Sequence, residues 1–170
     1  MPLIELPLPW VVLLDAVAWG GFHLLISFCT VRIPFRWFIR HERLFRTFHF
    51  ERHGDLWQRL FQVKKWKQLI PDGTMFIRNG YNKKSLHGND VASLDEFIVE
   101  SRRAEWTHWI SIVPSALFFL WNPIWAGWLN VAYAVLFNVP IIIAQRYNRP
   151  RLERLVTRKQ NKPQAGSSVR

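Results

Sequence analysis

The sequence predicts an all-α integral membrane protein with about three transmembrane helices and a set of amphipathic interfacial helices. Three observations carry this. The chain of 170 residues is 49% hydrophobic, yet its formal net charge is +11. All 23 lysines and arginines fall in two blocks, 15 from Arg32 to Arg103 and 8 from Arg146 to Arg170. The stretches outside these blocks are apolar and long enough to span a bilayer, which takes about 20 helical residues per crossing. A soluble nucleic-acid binder has no reason to leave such long stretches free of Lys and Arg, so nucleic acid is not an expected partner.

The first apolar stretch, "LPLPWVVLLDAVAWGGFHLLISFCTV", predicts a span over 8–29. It has no basic n-region and no small-residue cleavage site, so it reads as an anchor rather than a cleavable signal. The second, "WTHWISIVPSALFFLWNPIWAGWLNVAYAVLFNVPIIIAQ", is about twice as long and is broken by the turn-like Asn122-Pro123. It therefore reads as two antiparallel spans, 106–122 and 125–145. Trp106, Trp109, Trp121, Trp125 and Trp128 sit where membrane interfaces are expected. The excess of positive charge on cytoplasmic segments puts both basic blocks inside, and the N-terminus and the 121–128 loop outside. Cys29 is the sole cysteine, which rules out an intramolecular disulfide and a cysteine-based metal site. Residues 1–158 form one membrane domain, and 159–170 read as a disordered basic tail.

Between the spans, 32–105 interleaves Phe, Trp and Leu with Arg, Lys and His at near-helical spacing. Basic helices with aromatic apolar faces lie in the headgroup region of a membrane. The pattern predicts two of them, 35–48 and 55–69, broken at Gly54 and ended by Pro71-Asp72-Gly73. Residues 72–92 read as a turn-rich loop. Ser93 and Glu96 have capping-box spacing, which predicts a helix starting at Ser93 and running into the second span as far as Pro114. Pro150 disfavours helical backbone at Arg149, so the third span is expected to end there.

Several stretches, "FHFERHG", "VKKWK" with "PDG", "RRAEWTHWISIVP" and "NVPIIIAQRYNRPRL", together resemble the glycosyl-diaponeurosporenoate acyltransferases of staphyloxanthin-type carotenoid synthesis. The similarity runs from about Arg32 to Leu152 and departs at His49 and Pro71, which makes His49 a poor catalytic candidate. The resemblance implies a small multi-pass protein of the bacterial cell membrane. It also implies that a fatty acyl group is transferred to the sugar of a glycosylated carotenoid or related glycolipid. Such an enzyme has membrane lipids and a lipid-soluble glycosylated acceptor as partners. It needs no tightly bound cofactor, and acyl-CoA or an acyl-carrier protein would serve as donor substrate.

Acyl transfer to a hydroxyl needs a base for the proton and donors for the developing oxyanion. His-x-x-x-x-Asp is absent, so the base must sit in another arrangement. His108 lies just inside an apolar span with Glu105 one turn before it, where a carboxylate can orient an imidazole. The bland reading is an interfacial histidine bonded to backbone or to an asparagine. His53, between Glu51 and Asp55, is the second candidate; its bland reading is a capping residue. A metal at this His/Glu/Asp group is not expected, because no third ligand is evident. For donor or headgroup binding the candidates are Arg146, Asn148, Arg149 and Arg151 at the end of the third span. Lys67, Asp72 and Trp57 join them, with a structural Lys67–Asp72 ion pair as the alternative. Asn130 and Asn138 read as interhelical hydrogen-bonding residues, and Asp15 as a solvated group near the outer interface. Two other functions fit the same pattern: a lipid-modifying methyltransferase, and a non-enzymatic scaffold for anionic lipid or a partner protein.

Overall fold

The structure is a computed structural model and describes residues 2, 4–67 and 91–161. The predicted 72–92 loop lies outside these residues except for Val91 and Ala92, as does the tail from 162 onward. Every regular element among the described residues is helical. In chain order they are α1 (Leu8–Arg32), α2 (Phe35–Arg40), 3-10 turns Glu42–Phe45 and His49–Gly54, α3 (Asp55–Phe61) and α4 (Val63–Trp66). Next come α5 (Val91–Ile112), a 3-10 stretch Val113–Leu120 and α6 (Ile124–Gln160). Two helices, α1 and α6, are long and apolar enough to cross a membrane. Along α1, Leu8, Trp10, Val12, Val17, Leu24 and Phe28 are all exposed, a surface that fits a membrane protein and that water would not tolerate.

The chain divides into two compact units, Met1–Arg40 with Arg103–Ile143, and His41–Arg102 with Ala144–Arg170. The first unit is organised around Trp19, Phe118 and Ala134, with Ala18, Phe22, Ile112 and Trp121 packed against them. Trp19 stacks on Phe118 with ring centroids 4.7 Å apart and meets Tyr133 at 5.0 Å. Gly127 faces Phe119 so closely that a Cβ would lie 2.4 Å from its ring, which explains the small residue in an otherwise bulky helix. The turn expected at Asn122-Pro123 separates the 3-10 stretch from α6.

In the second unit, Leu94 and Ile98 of α5 pack with Val156 and Leu152 of α6. Arg102 reaches Glu42 at 3.4 Å and Glu153 at 3.7 Å, tying the 3-10 turn at 42 to both helices. Buried Phe45, Val63 and Tyr147 complete the interior of this unit.

Three expectations need correction here. The helix expected over 35–48 ends at Arg40, and the one expected over 55–69 is cut by Gln62, whose φ is +49°. Past Arg40 the chain is held to α6 instead: Arg149 Nη2 donates to Phe45 O, and Arg146 Nη2 to Arg46 O at 3.4 Å. Second, Ser93 is not an N-cap, because α5 already includes Val91. Third, Pro150 does not end α6, which continues to Gln160. Proline removes the donor for the Arg146 carbonyl, but Arg151 Nη1 donates to the neighbouring Tyr147 O at 2.6 Å. Side chains anchored on both sides of the proline hold the helix where local preference would break it.

Candidate active site

In the second unit, the stretch "HFERHG" is pressed against α6 by charge and by a glycine. The Glu51 carboxylate is 1% exposed. It accepts from Arg146 Nε at 2.7 Å and Nη2 at 2.9 Å, a two-pronged guanidinium–carboxylate fork. The Phe48 N–H donates to the same carboxylate at 3.0 Å. Beyond this anchor the backbone turns left-handed at three successive residues, Arg52 (φ +46°), His53 (φ +56°) and Gly54 (φ +91°). Non-glycine residues there cost about 1–2 kcal/mol each, so the turn persists only because its ends are fixed. Gly54 is required twice, by its φ and because a Cβ would lie 3.0 Å from Tyr147 O and 2.8 Å from Arg151 Nη1.

Next to this turn, Arg151 Nη2 donates to Asp55 Oδ1 at 2.7 Å, and its guanidinium lies 3.7 Å over the Tyr147 ring. Lys67 Nζ donates to Asn148 Oδ1 at 2.8 Å and lies 5.2 Å over the same ring. Burial holds the Lys67 ammonium below the ordinary lysine range, and the neighbouring charges of Arg151 and Lys64 lower it further. Trp57 stacks on Phe61, and its Nε1–H is buried with no acceptor among the described residues. Lys67, Asn148 and Arg151 thus gather around Tyr147 of α6. Asp72 lies outside the described residues, so its expected pairing with Lys67 is not seen. His53 is exposed.

In the first unit, His108 of α5 meets Asn138 of α6, Nδ1 to Oδ1, at 2.8 Å. Asn138 Nδ2 donates to Ala134 O of its own helix at 2.8 Å. The second bond fixes the first. With its NH2 committed to a carbonyl, Asn138 presents its oxygen to the imidazole, so Nδ1 of the neutral ring carries the proton. The lone pair then resides on Nε2. Glu105, expected to orient this ring, is buried on the same helix; the partner seen at Nδ1 is Asn138. The default reading of Asn138 as an interhelical hydrogen-bonding residue holds, but its consequence for the histidine escaped sequence reasoning. The signal was present: two isolated polar residues in two apolar runs need partners.

Asp15 is corrected as well. It is half-buried and accepts from Trp121 Nε1 at 2.7 Å, Asn122 Nδ2 at 2.8 Å and Asn130 Nδ2 at 3.2 Å. Trp19 Nε1 donates to Asn130 Oδ1 at 2.7 Å, so one network joins α1, the 121–122 turn and α6. Among the described residues no group of three or more His, Cys, Asp or Glu lies close enough to hold a metal ion.

Comparison with known proteins bears on both sets of residues. The profile of the glycosyl-4,4'-diaponeurosporenoate acyltransferase family matches residues 41–158, which include the strained turn, the Lys67 cluster, His108 and Asn138. Glycosyl-4,4'-diaponeurosporenoate acyltransferases of Staphylococcus aureus strains MRSA252, bovine RF122 / ET3-1 and USA300 are each 41% identical over 138 residues. That alignment covers 81% of this chain and 83% of each relative. No solved structure matches the chain. A match to the family profile over most of the chain, with relatives of one name aligned over 83% of their length, means that this chain belongs to the glycosyl-4,4'-diaponeurosporenoate acyltransferase family.

Proposed function

We propose that this protein is a membrane-embedded O-acyltransferase that esterifies a sugar hydroxyl of a glycosylated carotenoid or related glycolipid, with His108 as general base. The observation that supports the base assignment is the His108–Asn138–Ala134 chain of hydrogen bonds, which orients the ring through its Nδ1 edge. Asparagine here plays the part that the third residue plays in Cys-His-Asn arrangements, setting ring orientation and tautomer.

The reaction balances simply. The sugar O–H gives its proton to Nε2 as its oxygen attacks the acyl carbonyl of a thioester. The carbon–sulfur bond breaks, and the imidazolium returns the proton to the departing thiolate, leaving an ester and a thiol. Acyl-CoA and acyl-carrier protein both bring phosphate, and the Lys67, Asn148 and Arg151 cluster suits an anion. Counting Lys64, three cations stand beside one carboxylate, Asp55, and a phosphate would offset the burial and repulsion that lower Lys67. Glu51, Arg146 and Arg149 act as positioning residues, since their charges hold the 45–54 backbone on α6.

The reading includes three spans, with the α5 end and the 3-10 stretch Val113–Leu120 supplying the second. Charge on the flanks puts the N-terminus outside and the C-terminus in the cytoplasm.

The test is reconstituted protein given a glycosylated carotenoid and an acyl thioester, with the ester read by mass spectrometry. His108→Ala should lower turnover on the order of 10²–10⁴-fold. Asn138→Leu should lower kcat with little change in KM, and Asn138→Asp should retain most activity. Unchanged turnover in His108→Ala would sink the base assignment. His53 is then next, because its strained backbone also marks a functional position.

A further inference from the structure

The second unit carries an exposed surface of which these roles use only Lys64. Leu44, Phe48 and Phe50 are each 61% exposed, Leu60 63% and Phe61 47%. Phe48 and Phe50 stack on each other, ring centroids 5.4 Å apart and nearly parallel, while both stay open to solvent. Interleaved with them, Arg43, Arg46, Arg52, Arg59, Lys64 and Lys65 are exposed and make no salt bridge among the described residues.

The carboxylates explain why this charge stays available. Residues 41–67 contain three, and each is held by an arginine from outside the stretch: Glu42 by Arg102 at 3.4 Å, Glu51 by Arg146 at 2.7 Å and Asp55 by Arg151 at 2.7 Å. Apart from Lys67, the segment's own cations are exposed, beside large apolar side chains that gain nothing from water.

We propose that residues 43–65 seat on an anionic lipid leaflet, with Phe48, Phe50, Leu44 and Leu60 entering the acyl boundary and the six cations engaging lipid phosphates. Aliphatic and phenyl groups among cations fit a bilayer interface, where each lysine or arginine adds attraction to acidic headgroups. A nucleic acid would satisfy the cations but offer nothing to Leu44 or Leu60. The surface is independent of the acyl-transfer reading and can be tested without activity.

The full chain, with Cys29→Ser, is placed in lipid nanodiscs carrying a bimane label at Phe48→Cys or Phe50→Cys, and at Gln160→Cys as an exposed control. Brominated acyl chains quench from the bilayer, and iodide quenches from water. In discs containing phosphatidylglycerol, labels at 48 and 50 should be quenched by brominated lipid and several-fold less by iodide than the label at 160. Replacing Arg43, Arg52, Arg59, Lys64 and Lys65 with Gln should erase that protection, and pure phosphatidylcholine discs should weaken it. Iodide access at 48 and 50 equal to the control would overturn the proposal. So would protection that is the same with and without acidic lipid. Protection from both quenchers would overturn it too, because a protein, partner or second copy, would then cover the surface.

Discussion

Lys67 is a cation held beside two others, Arg151 and Lys64, in a half-buried setting. Because its folded pKa lies below the unfolded value, the unfolded chain binds more protons at pH values between the two. Stability therefore rises with pH through that window, and the cost of the buried ammonium is fully present at neutral pH. A phosphate held between Lys67 and Arg151 removes that cost. Adding coenzyme A at pH 7 should raise the melting temperature, followed by tryptophan fluorescence in detergent. Lys67→Gln should abolish most of the rise without itself lowering the melting temperature. An equal rise in the variant would mean that the anion binds elsewhere. Gly54 gives an independent test of the same corner of the molecule. Ala at this position meets both a positive φ and the Tyr147 carbonyl, and should cost more than about 1 kcal/mol, read as a lower melting temperature.

Glu51 and Arg146 are 95 positions apart and make the contact that docks the 41–67 stretch on α6. Removing one partner of a buried pair leaves the other's charge uncompensated, at about 3–5 kcal/mol. Glu51→Gln and Arg146→Gln should each destabilise by that order, and the double variant by clearly less than their sum. Thermal melts of all four proteins decide it; additive losses would mean that the pair does not act as a unit. The same pair shows where the sequence was legible and where it was not. The break at Gly54, the long apolar helices α1 and α6, and the turn at Asn122-Pro123 were all visible, because periodicity and turn residues act over a few positions. The docking of the stretch after Arg40 was not, because the guanidinium groups that hold it lie some hundred residues away. Pro150 misled for the same reason: local preference said stop, and distant anchors at Glu51, Phe45 and Asp55 said continue. At the candidate site, His108 was marked by its depth in an apolar run. Its tautomer needed the Asn138 amide, whose orientation only the Ala134 carbonyl reveals.

The number of membrane crossings sets which side of the bilayer each basic block occupies, and parity makes the question sharp. With α1 and α6 as the only spans, the Arg32–Arg103 block and the Arg146–Arg170 block fall on opposite sides. That arrangement puts eight lysines and arginines outside and defies the bias of positive charge toward the cytoplasm. A third crossing, through the end of α5 and Val113–Leu120, puts both blocks on the same side. Those residues carry no lysine, arginine or acid from Trp106 to Leu120, so they can enter the hydrocarbon without ionised groups. Impermeant maleimide on intact cells separates the two arrangements, using a Cys29→Ser background with single cysteines at the exposed positions Ile124 and Arg158. Three crossings label position 124 from outside and position 158 only after the membrane is permeabilised. Two crossings, with the N-terminus still outside, reverse that pattern at both positions. The reversed pattern would put the Arg146–Arg158 end of α6 outside the cell. The bilayer would then separate Lys67 from Asn148 and Arg151, and the donor assignment would fall with the topology.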